Sequence, residues 1–295
     1  MVRRWNVDWV SLLLVVPFVL VIAGLVVWPV LVTARTAFTS ATFIGMPVEF
    51  VGLDQFRRVL GANAFWDALG RSGIWVLGNA VLQTVTALAL ALIFNRFAKS
   101  TAGLRVLILI PWIIPTVAVA VIGTWVMSAQ YGVVNYLLKQ IGLITTSINA
   151  FGNPDIALTS LIVLNSWKWF PFFFVIILGA LNTVPRDLEE SAKLDGATAS
   201  QIFLYITMPM ITRIVAVVGM VGTLWSFNVF DTIYLITRGG PGDSTLTAPV
   251  YVYDMAFRSF QLGRSAAASL ILMVILVLFA VTFYKLVVSR AYTER

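Results

Sequence analysis

The sequence contains no cysteine and no histidine among its 295 residues. Their absence excludes disulfide frameworks, thiolate nucleophiles, catalytic triads that use histidine and nearly every zinc site, because each needs one of these two side chains. Charged residues make up only 11% of the chain, whereas about a quarter of the residues in an average soluble domain are charged. Most classes of soluble enzyme are therefore excluded, and no metal site is expected.

Apolar residues, by contrast, are abundant. They account for 60% of the chain, and the mean hydropathy is +0.93. A chain of this composition has more apolar surface than a globular core of this size could bury. The net charge is +7, but the Lys and Arg residues stand singly between apolar runs and form no basic stripe. We therefore expect no nucleic-acid partner, and we interpret the positive charge as anchoring in membrane lipid by the positive-inside rule.

Six stretches are long and apolar enough to cross a bilayer as helices, since about 20 residues are needed. They cover residues 9–34, 72–95, 106–129, 156–181, 214–237 and 265–284. Only Lys168 in the fourth and Asp231 in the fifth interrupt them with a charge. Arg3 and Arg4 precede the first stretch, but it is too long for the apolar part of a signal peptide and has no small-residue cleavage site. The sequence predicts an all-α integral membrane protein, a single transmembrane domain over residues 1–295.

Six spans place both termini on one side of the membrane. The predicted inner segments carry more Lys and Arg than the longer outer loops, and the bias is clearest in the short loop with Arg96, Lys99 and Arg105. We therefore expect a cytoplasmic N-terminus and a cytoplasmic C-terminus. The outer loops, at about 35–71, 130–155 and 238–264, are rich in aromatic residues. This composition fits short helices that lie at the membrane surface, either as caps of the spans or as a docking surface.

The inner loop 182–213 is unusually long and acidic for a membrane protein. Pro185 suits the first turn of a helix, and the acids that follow it favour the positive end of the helix dipole. Gly196 allows a sharp turn, and Thr198 or Ser200 can cap a second helix. This pattern predicts a helix, a glycine turn and a second helix in the cytoplasm, an arrangement that fits a groove on another protein.

The same loop carries a recognisable motif. Residues 190–196 read E-S-A-K-L-D-G, nine residues follow, and residues 206–209 read I-T-M-P. This resembles the EAA loop of binding-protein-dependent ABC importer permeases, which reads E-A-A, three residues, G, nine residues, I-x-L-P. The spacing agrees throughout, and the departures, Ser191 and Met208, are small.

Other segments are similar to the carbohydrate-uptake branch of that family. Residues 51–56 read V-G-L-D-Q-F, and residues 239–241, G-G-P, precede Tyr253, Phe257 and Gly263. The last loop resembles the first permease of the pairs that import maltose, trehalose or glycerol phosphate. The resemblance implies the ABC type I importer permease fold in a prokaryotic inner (cytoplasmic) membrane.

In that family the EAA hairpin, a coupling helix between spans 4 and 5, sits in a groove of a cytoplasmic ATPase. The resemblance assigns this role to Glu190, Ala192, Leu194, Asp195 and Gly196. An alternative is that Glu190 only caps the hairpin. The sequence has no Gly-Lys pair and hence no P-loop, so this chain is not expected to be an enzyme. ATP and magnesium would bind the partner ATPase, and no cofactor would bind this chain.

The resemblance implies a complex with a second homologous permease, an ATPase dimer and an extracytoplasmic solute-binding protein. The chain would then form half of the pathway for a sugar or sugar-like solute.

Polar residues inside spans are costly and usually face a cavity, so they mark a candidate pathway. Asn165, Lys168, Trp169 and Phe172 share one face of the fourth span, because they stand at i, i+3, i+4 and i+7. Aromatic rings with Asn, Ser and Thr suit a sugar, whose C–H faces stack while its hydroxyls form hydrogen bonds. The candidate substrate-binding residues are Trp112, Thr116, Asn165, Lys168, Trp169, Phe172, Gly222, Trp225, Ser226, Asn228 and Asp231.

Several alternatives stay open at this point. The tryptophans could pack between helices instead of stacking on a sugar. Lys168 could select an anionic solute, although snorkelling or pairing with Asp231 is the favoured interpretation. An autonomous secondary transporter would need internal repeats and coupling-ion acids, and an intramembrane enzyme would need paired acids or a metal; neither pattern is evident.

Overall fold

The computed structural model of the chain describes residues 9–42, 48–96 and 102–288. Within these ranges the chain is helical and contains no β-strand beyond one isolated bridge between Thr39 and Phe50. Arg3, Arg4 and Lys99, which entered the sequence argument, lie outside the described residues. The predicted all-α class is confirmed for the described part of the chain.

The described residues form fourteen α-helices, α1 to α14 in chain order. Their bounds are α1 Trp9–Ile22, α2 Trp28–Ala37, α3 Asp54–Leu60, α4 Asn63–Arg96, α5 Ala102–Ile113, α6 Thr116–Val126, α7 Val133–Gln140, α8 Ala157–Leu181, α9 Arg186–Leu194, α10 Ala199–Ile202, α11 Met208–Phe227, α12 Asp231–Ile236, α13 Ala248–Tyr253 and α14 Leu262–Phe283. Single π-helical turns continue four of the helices, at Ala23–Val27, Phe203–Thr207, Asp254–Arg258 and Tyr284–Val288.

The chain divides into two compact units. One comprises the chain up to Phe65 together with Val252–Val274, and the other comprises Trp66–Tyr251 and the chain from Ile275 onwards. In the first unit, the space beside Gly263 is occupied by the carbonyl of Thr39, so only glycine fits at the start of α14. The candidate site described below lies wholly in the second unit.

Five helical segments are long and apolar enough to cross a membrane. They are Leu13–Ala37, Asn63–Arg96, Ala157–Leu181, Ala199–Phe227 and Leu262–Leu286. The predicted spans at 9–34, 156–181 and 265–284 agree with these segments to within a few residues. The predicted span 72–95 lies within α4, which begins earlier, at Asn63, and carries Asp67 and Arg71 within the helix.

Two predicted spans differ from straight helices. The span 106–129 is two helices, α5 and α6, which meet at an angle of 96° across the break before Thr116. Pro111 and Pro115 remove backbone donors at this place, which favours a break. The span 214–237 starts too late and ends too late, because α11 begins at Met208 and the chain leaves the helix between Phe227 and Asp231.

The core of the second unit lies between α4, α8 and α11. Ala87, Ala91 and Phe94 of α4 pack against phenylalanines of α8, and Ile211 of α11 completes the cluster. The rings of Phe94 and Phe174 meet edge to face with centroids 5.4 Å apart. Small alanines on α4 allow the close approach, while the large aromatic residues of α8 supply most of the buried apolar surface. Helix α8 is thus the central element on which the candidate site is built.

Candidate functional site

Four of the predicted aromatic residues come together. Trp112 is the residue before the last of α5, Trp169 and Phe172 lie on one face of α8, and Trp225 lies near the end of α11. Ring centroids are 5.8 Å apart for Trp112 and Phe172, 5.2 Å for Phe172 and Trp225, and 6.4 Å for Trp169 and Trp225. We call these four residues the aromatic cluster. Trp112 and Trp225 remain exposed by 40% and 52%, so the cluster offers open ring faces as well as ring-to-ring packing.

Lys168 lies beside this cluster but points into the protein. Its side chain is only 4% exposed, its Nζ donates a hydrogen bond to Oγ1 of Thr116, and the same Nζ lies 5.3 Å from the centre of the Trp169 ring. Among the described residues it forms no ion pair with Asp231, whose Oδ1 accepts instead from the backbone N–H of Thr232. The predicted pairing of Lys168 with Asp231 is thus not a direct ion pair, although the two charges still attract each other; the direct partner of Nζ is Thr116, at the start of α6.

Three other candidates are occupied by protein neighbours. Asn165 is buried and donates to Oδ1 of Asn79 at 2.7 Å. Ser226 is buried, and a Cβ at Gly222 would collide with the ring of Phe173, so Gly222 lets α8 and α11 approach closely. Their roles as substrate contacts stay predictions, since their observed contacts are with the protein itself.

The last two candidates lie at the break after α11. The exposed Asn228 donates to the carbonyl of Leu224 at 2.8 Å, and the exposed Asp231 is the first residue of α12. The break gives both side chains access to solvent, which a continuous helix through the span would not give.

The sequence analysis missed a row of buried polar side chains on α4. Ser72, Trp75, Asn79 and Gln83 are spaced by three or four residues and therefore share one face of the helix. The Nε1 of Trp75 donates to the carbonyl of Ser226 at 2.9 Å, and Asn79 bonds to α8. The signal was available, because Asn79 and Gln83 are polar residues inside an otherwise apolar span.

The predicted helix, glycine turn and second helix are present as α9, a turn at Gly196 and α10, which together we call the hairpin. Gly196 has a φ of +84°, a left-handed conformation that favours glycine. Thr198 begins α10 with a capping box, since its side chain accepts from the N–H of Gln201 and the Gln201 side chain accepts from the N–H of Thr198. Thr198 and not Ser200 is therefore the cap.

The residues assigned to coupling face outwards. Leu194 is 90% exposed, Glu190, Asp195 and Gly196 are exposed, and Ala192 is half-buried. No hydrogen bond within the described part of the chain uses the Glu190 carboxylate; the neighbouring Glu189 instead accepts from Thr207 at 3.4 Å. A concavity of about 340 Å³ beside the turn is lined by Asp195, Gly196, Ala197, Gln201, Ile202, Tyr205 and Ile206.

In the parts of the chain that the structure describes, no three acidic side chains lie close enough together to hold a metal ion.

Comparison with known proteins identifies the family. The profile of "binding-protein-dependent transport system inner membrane component" matches residues 83–293. The chain belongs to this family. The matched region contains α8, α11, the hairpin and all four residues of the aromatic cluster.

Relatives of this inner membrane component are similar along most of their length. The trehalose/maltose transport system permease protein MalF of Thermococcus litoralis is 31% identical over 277 residues, 92% of this chain and 92% of the relative. The inner membrane ABC transporter permease protein YcjO of Escherichia coli K12 is 31% identical over 269 residues, 90% of each chain. The sulfoquinovosyl glycerol transport system permease protein SmoG of Agrobacterium fabrum is 29% identical, covering 89% of this chain and 85% of the relative.

A solved structure has the same fold. It is a bacterial ABC transporter involved in the import of the acidic polysaccharide alginate, and its matching chain superimposes with a TM-score of 0.84 at 23% identity over 97% of both chains. The resemblance to ABC importer permeases drawn from the EAA motif is therefore confirmed. The chain is a non-catalytic membrane permease of an ABC transporter, a multi-pass protein of the inner membrane.

Proposed function

We propose that this permease forms half of the path through which an ABC importer moves a sugar or a sugar-like solute. The observation that carries this proposal is the aromatic cluster, which presents open tryptophan faces from three helices beside hydrogen-bonding side chains. Such faces fit the C–H surface of a sugar ring. The names of the relatives agree with this class, since they transport trehalose or maltose in one case and sulfoquinovosyl glycerol in another.

The complete transporter in this proposal has four kinds of subunit. This chain pairs with a second, homologous permease, two ATPase subunits bind ATP and magnesium in the cytoplasm, and a solute-binding protein delivers the sugar from outside. The alginate importer has been solved with a periplasmic protein that carries an alginate pentasaccharide. In such a transporter the ATPase subunits supply the energy, in agreement with the absence of a P-loop from this sequence.

The topology in this proposal is six spans with both termini in the cytoplasm. The bent pair α5 and α6 counts as one span, which gives six in total. The hairpin α9–α10 then lies in the cytoplasm between spans 4 and 5, where Glu190, Ala192, Leu194, Asp195 and Gly196 contact the ATPase. Leu194 supports this assignment most directly, because an apolar side chain that is 90% exposed gains free energy when a partner covers it.

The solute contacts in this proposal fall into two groups. The open rings of the aromatic cluster stack on the sugar, while Asn228 and Asp231 lie within reach of water at the end of α11. Lys168 of α8 bonds to Thr116, the first residue of α6. Asn165, Gly222 and Ser226 contact protein neighbours and thereby set the positions of the helices that carry the rings. All eleven predicted residues thus belong to the site, but with different parts in it.

Uptake by intact cells tests the sugar assignment. Cells that lack this chain are complemented with the wild type, with Trp225→Ala or with Trp167→Ala, and offered labelled trehalose, maltose and sulfoquinovosyl glycerol. Trp167 is the control because it lies on α8, is 41% exposed and takes no part in the cluster. We expect one of the sugars to enter with the wild type and with Trp167→Ala, and its KM to rise about 2- to 10-fold with Trp225→Ala. Equal uptake of every sugar with and without the chain would contradict the proposal.

A further inference from the structure

The buried polar face of α4 forms hydrogen bonds with α8 and α11, two of the helices that carry the aromatic cluster. Trp75 and Asn79 lie one helical turn apart, and both side chains are essentially inaccessible to solvent. Each forms a hydrogen bond with a different helix of the second unit. In the described part of the chain, neither side chain forms a hydrogen bond or a ring contact with a residue of the aromatic cluster, so we expect an effect on the cluster to act through α8 and α11.

The contact with α11 is made by the indole of Trp75. Its Nε1 donates to the backbone carbonyl of Ser226 at 2.9 Å, and Ser226 directly follows Trp225 in the sequence. This carbonyl also accepts from the N–H of Val229 at 3.2 Å, where the helix ends. The end of α11, which carries one ring of the cluster, is therefore held by a side chain that is 151 residues away in the sequence.

The contact with α8 is made by the amide of Asn79. Its Oδ1 accepts from Nδ2 of Asn165 at 2.7 Å and from Oγ of Ser166 at 3.1 Å. It accepts a third bond from Nε2 of Gln83, while its own Nδ2 donates to the carbonyl of Trp75 at 2.9 Å. The Asn79 amide thus has its donor and acceptor satisfied at once, which fixes its orientation.

The bonded residues of α8 lie on the turn that precedes the cluster. Asn165 is four residues before Trp169, so both occupy the same face of the helix. A bond to Asn165 therefore sets the rotation of α8 about its axis and the direction in which Trp169 and Phe172 point.

We propose that Trp75 and Asn79 are positioning residues. They fix the distance between α8 and α11 and the rotation of both helices, and so keep the rings that these helices carry in the arrangement that binds the solute. The proposal rests on the proposed function of the cluster. Polar bonds between membrane helices contribute little to stability on average, yet they are directional. Their removal should therefore change geometry more than it changes folding.

Two substitutions remove these bonds, and each has a matched control. Trp75→Phe keeps an aromatic ring and removes the Nε1 donor; its control is Trp167→Phe on the exposed side of α8. Asn79→Leu removes the amide; its control is Thr86→Leu, also on α4. Within the ranges that the structure describes, the side chains of the two control residues form no hydrogen bond with another helix, and neither residue lies in the cluster.

The distance between α8 and α11 gives a readout that does not depend on the solute. The chain has no cysteine, so Val163→Cys in α8 and Ile214→Cys in α11, both exposed, alone carry spin labels for double electron–electron resonance in nanodiscs. We expect the distance distribution to broaden or shift with Trp75→Phe and with Asn79→Leu, and to stay unchanged with both controls. An unchanged distribution in both test variants, or an equal change in the controls, would overturn the proposal.

Uptake kinetics connect the geometry with transport. For whichever of trehalose, maltose or sulfoquinovosyl glycerol the wild type imports, we expect KM to rise about 3- to 10-fold with either test variant and Vmax to stay within about 2-fold. A fall in Vmax together with the amount of folded protein, at constant KM, would show a purely structural role and overturn the proposal. If the wild type imports none of the three sugars, the sugar assignment fails, while the label distances still decide whether Trp75 and Asn79 position the helices.

Discussion

Lys168 shows how a single residue can have two opposite interpretations. A cation in a membrane span beside aromatic rings could select an anionic solute, or it could serve the structure alone. Its burial favours the structural role, because the ammonium group is already in contact with protein groups, the hydroxyl of Thr116 and the ring of Trp169. Lys168 therefore links α8 to the first residue of α6.

Replacing Lys168 with methionine tests this interpretation. Lys168→Met keeps the length of the side chain and removes the charge, and the substitution of a buried charged group by an apolar one of similar volume is often neutral. We expect KM for the imported sugar to change by less than about 2-fold, a difference below about 0.4 kcal/mol. Lys139→Met, in α7, is the control. A tenfold rise in KM with Lys168→Met alone would place the ammonium group in contact with the solute.

The residues of the site differ in how far the sequence could predict them. The aromatic cluster was predictable, because the helical spacing on α8 places Trp169 and Phe172 on one face. The partners of Asn165 were not, because Asn79 is 86 residues away and no local pattern connects them. A polar residue in a span indicates that a partner exists, but the identity of the partner depends on how the helices pack.

At the scale of elements, the close contact of α8 and α11 depends on Gly222. The ring of Phe173 occupies the space that a side chain at this position would need. We expect Gly222→Ala to lower the thermal unfolding midpoint in nanodiscs, since overpacking costs about 1–3 kcal/mol. Gly219→Ala on the same helix meets nothing within 4 Å and should leave the midpoint unchanged. Equal midpoints for the two variants would show that α8 and α11 do not pack as described.

The second helix of the hairpin depends on its capping box. Thr198→Ala removes the side chain that accepts from the N–H of Gln201, and the loss of such a cap costs about 1 kcal/mol. We expect faster hydrogen exchange of the amides of α10 in this variant. Ser200→Ala, two residues further on, should leave the exchange rates unchanged. If Ser200→Ala accelerates exchange as much as Thr198→Ala, the cap has been assigned to the wrong residue.

The elements themselves were predictable in type and less so in their ends. Hydropathy reports composition, and composition stays apolar across the 96° bend between α5 and α6 and across the break after α11. Prolines marked the first of these places. The second, at Asn228–Phe230, carries no proline or glycine, so the end of α11 follows from its packing and from the hydrogen bond of Trp75.

At the scale of the whole molecule, the topology can be tested with single cysteines in the cysteine-free chain. Leu194→Cys, in the hairpin, should react with a membrane-impermeant maleimide only after the cytoplasmic side is opened. Tyr136→Cys, in α7, should react in intact spheroplasts, because the loop between α6 and α8 faces outwards in the proposed topology. Both side chains are exposed, so access to the reagent decides the result. Reaction of Leu194→Cys in intact spheroplasts would contradict a cytoplasmic hairpin.

The central claim is that this permease draws its energy from an ATPase bound at the hairpin α9–α10. The most direct measurement is affinity purification of the chain from its native membrane, followed by mass spectrometry and an ATPase assay.

The variants are Glu190→Ala and Gly196→Pro, and their controls are Asp187→Ala on the same helix and Gly142→Pro at another exposed glycine of positive φ. We predict that the wild type and both controls retain a P-loop ATPase and a second permease, and that the two hairpin variants lose the ATPase and keep the permease. Purification of the wild type without any ATPase, with solute uptake that continues in the absence of ATP, would contradict the account.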